Sequence, residues 1–219
     1  MLCGRAAAAL RQRVWLMILY DTKVAPNPRR VRIFLAEKGL QVPMVQVDLG
    51  KMEHKQAEYS KINALQRTPS LVLDDGTVIT ESIAICRYFE ELHPEPNLFG
   101  QGALECATVE MWRRRVELNL MMPTAMVFRH THPAMAALEV PQIPQVAEAN
   151  RPRVLDFLAL LDDRLAETRW LGGDNFSVAD VDGLVSMDFL RLARIQPPAE
   201  LTNVARWHGE LSARPSAKA

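Results

Sequence analysis

The sequence predicts an α/β first half with the element order β-α-β-α-β-β-α, followed by an all-α second half. Three features carry that reading. Up to about residue 92, short apolar runs alternate with segments of helical spacing. Asp75-Gly76 lies between two such runs, as the turn of a hairpin would. Past a stretch rich in Pro, Asn and Gly at residues 93–100, strand signals vanish and long helical patterns take over.

The first strand is Ile18-Leu19-Tyr20. Asn27-Pro28 opens a helix, with Asn27 as its cap and Pro28 as its first residue, and Gly39 ends it after about Lys38. Val31, Phe34, Leu35 and Leu40 form its apolar side. Residues 42–47 alternate, with Val45 and Val47 on one face, and read as a strand. Residues 55–62 form a short polar helix. Residues 69–73 and Val78-Ile79 are the two arms of the hairpin. Residues 81–92 form a helix that buries Ile83, Ala84, Tyr88 and Phe89. The first two strands are parallel across a right-handed crossover and the hairpin is antiparallel, so a small mixed sheet lies under helices.

In the second half, residues 103–131 form a long helix with a kink expected at Pro123. Residues 140–144 are a proline-marked connection. Residues 146–168 form a helix with Val154, Phe157, Leu158, Leu161 and Leu165 on one stripe and Pro152 near its start. Residues 177–192 and 199–213 complete the set. The domains expected are 17–95 and 101–219. Residues 1–16, where Arg5, Arg11 and Arg13 flank an Ala-rich stretch, read as an extension upstream of a natural start at Met17. Their apolar run is too short for a signal peptide, and a mitochondrial presequence is the weaker alternative.

The 219 residues, 48% of them hydrophobic, suffice for one large domain or two small ones. Lys and Arg total 26, as do Asp and Glu, so no long-range charge points to nucleic acid or to an anionic membrane as a partner. No apolar run is long enough to span a bilayer. Cys3, Cys86 and Cys106 have neither disulfide nor metal spacing and fit a reducing compartment. Thiol chemistry would then use a thiol from outside the chain.

Four motifs stand out. Ser177 with Asp180 forms a capping box, and Phe176 and Val181 occupy the positions of a hydrophobic staple, so a buried helix begins here. Thr68-Pro69 stands where a strand begins. A cis bond there would turn the Thr68 backbone outward to pair with an extended peptide, although a trans bond is the commoner outcome for X-Pro. Glu81-Ser82 precedes a helix. The pair suits a group bearing both an ammonium and a carboxylate, although simple capping is the commoner reading of the pair taken alone. Asn27 at a helix mouth offers an amide donor and a partial positive charge that favour a thiolate, or it only starts the helix.

In this order, the strand, the Asn-capped helix, Thr68-Pro69, the hairpin, Glu81-Ser82 and the Ser177–Asp180 cap resemble the soluble glutathione transferases from Met17 to Ala219. Tyr20-Asp21-Thr22 followed by Ala25-Pro26-Asn27 and Gly50 to Lys55 resembles bacterial and fungal members. The resemblance implies a thioredoxin-like N-terminal domain that binds glutathione, an all-α C-terminal domain, a cytoplasmic homodimer and glutathione as co-substrate with no cofactor. By the same analogy Thr68 pairs with the cysteinyl backbone, and Glu81 and Ser82 hold the γ-glutamyl end. His54, Lys55 and Arg67 are candidates for the glycine carboxylate.

Many members hold the thiol with a Tyr, Ser or Cys near the end of strand one. Here the serine-class position falls at Ala25 or Pro26, and Tyr20 lies too early, so Asn27 is the catalytic candidate. A small hydrophobic electrophile is expected between the domains, against Met121, Met122, Met126 and Phe128, with Arg129 or His130 assisting, although plain helix core is the commoner role for each of the four taken singly. His130 and His132 do not share a helix face, so no metal is expected. The resemblance implies an enzyme that conjugates glutathione to the electrophile. The alternatives are a non-catalytic glutathione or hydrophobic-ligand binder and a dimerisation module of the same shape. A disulfide reductase would want a cysteine near residues 25–28.

Overall fold

The computed structural model describes residues 17–219, so the expected extension over 1–16 lies outside the described residues. Strand β1 (Ile18–Asp21) is central in a four-stranded sheet of order β2-β1-β3-β4. Helix α1 (Pro26–Glu37) crosses over to β2 (Met44–Gln46), which lies parallel to β1. A short 3-10 turn (Glu53–Lys55) and α2 (Ala57–Ile62) lead to β3 (Ser70–Val72) and β4 (Val78–Thr80), an antiparallel hairpin, and then to α3 (Ser82–Leu92). The predicted order of elements is the observed one.

Two details differ. Strand β2 lies at the sheet edge and is exposed throughout, with Val42 and Val47 buried on either side of it. Val45 is 43% exposed and Val47 is 5% exposed, so they do not share a face as the alternation suggested. Helix α3 buries Ile85, Cys86 and Phe89, whereas Ala84 is exposed and Ile83 and Tyr88 are half-buried. The expected face was rotated because both sides of this helix carry apolar residues.

Helix α4 (Gly102–Val116) runs through a π-helical turn (Glu117–Met121) into α5 (Met122–Thr131). Where a kink was expected, at Pro123, the helix carries this π turn. Met122 N–H donates to the Glu117 carbonyl five residues back, directly before the ring that has no N–H to give. The helical half is completed by α6 (Pro144–Glu167), α7 (Val178–Phe189) and α8 (Thr202–Ser212). The five-residue stripe on α6 is buried as expected. Gly183 of α7 lets Trp207 of α8 pack closely, since a Cβ there would lie 2.3 Å from the ring. Among the described residues no helix is long and apolar enough to cross a membrane.

The halves are joined by buried polar clasps as well as apolar packing. Helix α1 lies between α3 and α7. Lys38 Nζ donates to the carbonyls of His93 (2.8 Å) and Pro96 (2.5 Å) and pairs with Glu90 at 2.6 Å. Glu90 accepts from Leu98 N–H, and the Leu98 carbonyl accepts from Val178 N–H at the start of α7. Arg214 forks onto Glu37 at the far end of α1. Burial pushes the Glu37 carboxyl up, but Arg214 and Ser216 together hold it below its ordinary value.

Candidate functional site

Helix α1 begins at Pro26, with Ala25 as an extended cap that supplies no side-chain hydrogen bond. This corrects the expected cap at Asn27. Ala25-Pro26 and Asn27-Pro28 are both plausible starts, and the earlier one closes because Arg29 N–H reaches the Ala25 carbonyl at 3.3 Å. The consequence is chemical. Pro26 and Pro28 carry no N–H, so the mouth offers the Asn27 main-chain amide and little else. The Asn27 side chain is exposed. Its Oδ1 accepts from Arg30 Nη1 at 2.8 Å, which leaves the amide NH2 as the free end.

The Thr68-Pro69 bond is cis. Thr68 stands ahead of the β3 ladder, and its hydroxyl donates to Thr22 Oγ1 at 3.1 Å. Thr22 in turn donates to the Val47 carbonyl at 3.0 Å. The preceding loop is anchored through Arg67, whose carbonyl accepts from Tyr59 Oη and Asn63 Nδ2, each at 2.7 Å, while its side chain is exposed. Lys55 Nζ donates to Gln66 Oε1 at 3.1 Å, so the 3-10 turn and the Thr68 loop are neighbours. His54 is buried, and its Nδ1 has no hydrogen-bond partner among the described residues. Burial, then the nearby Lys55 charge, lower its pKa and keep the ring neutral at pH 7.

Glu81 caps α3 from a left-handed backbone, φ +66°, which is strained for a residue other than glycine. Its side chain is exposed, while Ser82 behind it is buried. Ser82 Oγ accepts from Arg30 Nη1 at 2.7 Å. One nitrogen of Arg30 therefore joins Asn27 at the mouth of α1 to Ser82 at the mouth of α3. Tyr20 is half-buried in β1 and packs edge-on against Tyr59.

The residues expected against the electrophile are more divided. Met126 and Phe128 are half-buried on α5, and Phe128 packs on Phe189. Met121 belongs to the apolar core. Arg129 is paired with Glu139 at 2.5 Å. His130 is buried and accepts from Ile143 N–H at 3.1 Å, tying down the loop that leads to α6. Cys86 is wholly buried, and burial pushes its thiol up to about 12, so it supplies no thiolate.

Two residues escaped the sequence reading. Nothing local separates Arg30 from Arg29, which instead pairs with Asp188 at 2.5 Å. Asp182 did carry a signal: it lies mid-helix among Val178, Val181, Leu184 and Val185, where a buried acid needs a partner, and here that partner is Arg30.

Two family models match the chain. The glutathione S-transferase N-terminal domain covers residues 24–92, and the glutathione S-transferase C-terminal domain covers residues 119–215. Glutathione S-transferase 2 of Saccharomyces cerevisiae is 36% identical over 92% of this chain and 88% of its own length. Among solved structures, Gtt2 from S. cerevisiae superposes with a TM-score of 0.87 at 35% identity, covering 92% of this chain and 98% of its own. A glutathione S-transferase domain-containing protein from Marinobacter aquaeolei gives the same TM-score and identity over 91% and 98%. On these similarities and the shared architecture, the chain belongs to the glutathione S-transferase family of enzymes.

Proposed function

We propose that this transferase binds glutathione across the two helix mouths and conjugates its thiolate to a small hydrophobic electrophile. The tripeptide sulfur sits at the mouth of α1, where Asn27 Nδ2 and the Asn27 main-chain N–H donate to it. The Thr68 backbone pairs with the cysteinyl unit, next to the cis Pro69 bond. Ser82 and the start of α3 receive the γ-glutamyl carboxylate, and Glu81 receives the ammonium. Lys55, Arg67 and neutral His54 serve the glycine carboxylate. In the reaction the thiolate forms a C–S bond at the electrophilic carbon, and the leaving group departs with its electron pair.

The observation that supports this reading is the Arg30 nitrogen shared by Asn27 and Ser82, which ties together the two side chains proposed for the sulfur and the carboxylate. The magnitudes agree with it. Lowering a thiol pKa by about 2 units needs about 2.7 kcal/mol. One charge-assisted hydrogen bond of roughly 1.5–3 kcal/mol and a helix mouth of roughly 0.3–1 kcal/mol suffice. Met126 and Phe128 offer the electrophile an adaptable apolar wall. Arg129 and His130 act there indirectly, by holding the loop between α5 and α6.

The division into units 17–95 and 101–219, the homodimer and a cytoplasmic setting belong to the same proposal. The dimer is supported by Leu104, Met111, Leu118 and Met122, exposed apolar residues on one side of α4, the π turn and α5. The scattered free cysteines fit a reducing compartment. Retention on a glutathione column together with conjugation of an aryl halide is the expected outcome. Retention without turnover would leave a binding protein, and failure of both would refute the site.

A further inference from the structure

Resting on that glutathione reading, we propose that Arg30 is the positioning residue of the site: anchored by Asp182 in the helical half, it fixes both Asn27 and Ser82 as hydrogen-bond donors toward the ligand. The argument is one of polarity. A guanidinium carries N–H groups and no acceptor. Arg30 Nη1 gives one hydrogen to Asn27 Oδ1 at 2.8 Å and the other to Ser82 Oγ at 2.7 Å. An amide can present either its oxygen or its NH2; with the oxygen held by Arg30, the NH2 is left to face outward. A hydroxyl can donate or accept; with a lone pair held by Arg30, its hydrogen is left to donate. The two ligand groups assigned to these side chains, a thiolate and an α-carboxylate, are both anions and both require donors.

The rest of the guanidinium is spent on anchorage. Nε donates to Asp182 Oδ1 at 3.0 Å, and Nη2 donates to the same oxygen. Asp182 Oδ2 has no hydrogen-bond partner among the described residues. A pair arranged for stability alone would set two guanidinium nitrogens against two carboxylate oxygens. Here that fork–fork arrangement is given up, and Nη1 is turned to Asn27 and Ser82. Both partners are buried, Arg30 at 4% and Asp182 at 0% exposure, so the pair adds almost no net charge to the ligand surface. Its contribution is orientation. Arg113, Glu117 and Cys86 also face the pair, and none of them touches Asn27 or Ser82.

The decisive variant is the double replacement Arg30→Met/Asp182→Leu, which removes both charges together and fills the space with apolar atoms, a change that buried pairs commonly tolerate. It is expected to fold with a thermal midpoint close to wild type. Its KM for glutathione rises about tenfold, and the pKa of bound glutathione, followed by thiolate absorbance, rises by about one unit. Wild-type KM and thiol pKa in the folded double variant overturn the proposal. Should that variant fail to fold, Arg30→Lys keeps the charge beside Asp182 but replaces the fork with a point donor. The same rise in KM and thiol pKa supports the role, and unchanged values overturn it. Arg29→Gln, which breaks the neighbouring pair with Asp188, is the control expected to leave the thiol pKa alone. An equal shift there would make the effect a general one of helix charge and overturn the proposal. Absence of glutathione affinity in the wild-type protein would defeat the glutathione reading itself, whereas wild-type affinity with indifferent Arg30 variants defeats this role alone.

Discussion

Helices α1 and α7 begin in opposite ways. At α7 the start is closed. Asp180 is wholly buried and accepts four hydrogen bonds: from Ser177 N (3.0 Å), Ser177 Oγ (3.1 Å), Leu171 N (2.9 Å) and Trp207 Nε1 (2.9 Å). Each donor around it is consumed by the protein. At α1 the start is open. Ala25 caps with no side chain, two prolines thin out the main-chain donors, and Asn27 stands exposed with its oxygen turned inward. A closed start stabilises the fold and has nothing left to offer a ligand. An open start gives up capping energy and leaves its remaining donor unspent within the chain.

The comparison predicts the largest loss at the closed start. Asp180→Ala leaves the Trp207 indole N–H and the Leu171 amide buried without an acceptor, at about 1–3 kcal/mol each, and deletes a capping interaction of about 1 kcal/mol. A total of roughly 3–7 kcal/mol is expected, read as a fall in the urea midpoint with little change in slope. The glutathione KM of the protein that remains folded should stay at wild type. A loss below about 1 kcal/mol would mean that the start of α7 is not closed as described.

Acidity sharpens the same point. Burial pushes the Asp180 carboxyl from its ordinary value of 3.8 up to about 6, against the pull of its four donors. The native state therefore holds this proton more tightly than the unfolded chain does. The stabilisation from this group is complete below pH 3.8 and is lost as pH rises through about 6. The full swing is about 3 kcal/mol. Glu37 and Asp188, both held below their ordinary values, work in the opposite sense and lose stability as pH falls. Stability curves of wild type and Asp180→Asn between pH 4 and 7 isolate the Asp180 part. The variant should lack the decline across that window, and parallel curves would show that Asp180 does not titrate there.

What was legible in the sequence follows the range of the interactions involved. The hairpin at Asp75-Gly76, the Ser177–Asp180 cap and Glu81-Ser82 at a helix start are decided within four residues of chain, and each stands where it was expected. The start of α1 was misplaced by one proline because Ala25-Pro26 and Asn27-Pro28 carry the same local signal, and only the hydrogen bond from Arg29 to Ala25 decides between them. The buried face of α3 was misjudged because its apolar residues nearly encircle it. The clasp from Arg30 to Asp182 spans 152 residues, and no local pattern announces it. Half of it was still inferable, since Asp182, mid-helix among apolar residues, demanded a partner. The residues proposed for the mouths were therefore readable, and the side chain proposed to aim them was not.

The smallest expected change in stability belongs to the open start, and it is the most informative. If Asn27 were a cap, Asn27→Ala would cost about 1 kcal/mol. Asn27 is exposed inside the first turn, so water can replace the oxygen that accepts from Arg30, and the substitution should shift stability by no more than about 0.5 kcal/mol. The same substitution removes the donor assigned to the thiolate, so kcat/KM for conjugation should fall by one to two orders of magnitude, roughly 1.4–2.7 kcal/mol of transition-state stabilisation. The loss should be greatest near neutral pH and shrink as alkali ionises the thiol without help from the protein. Stability lost with activity kept would return Asn27 to the role of a cap and erase the contrast with α7. Activity lost with stability kept would make the mouth of α1 a place where the chain leaves its own hydrogen bonding unfinished so that a ligand completes it.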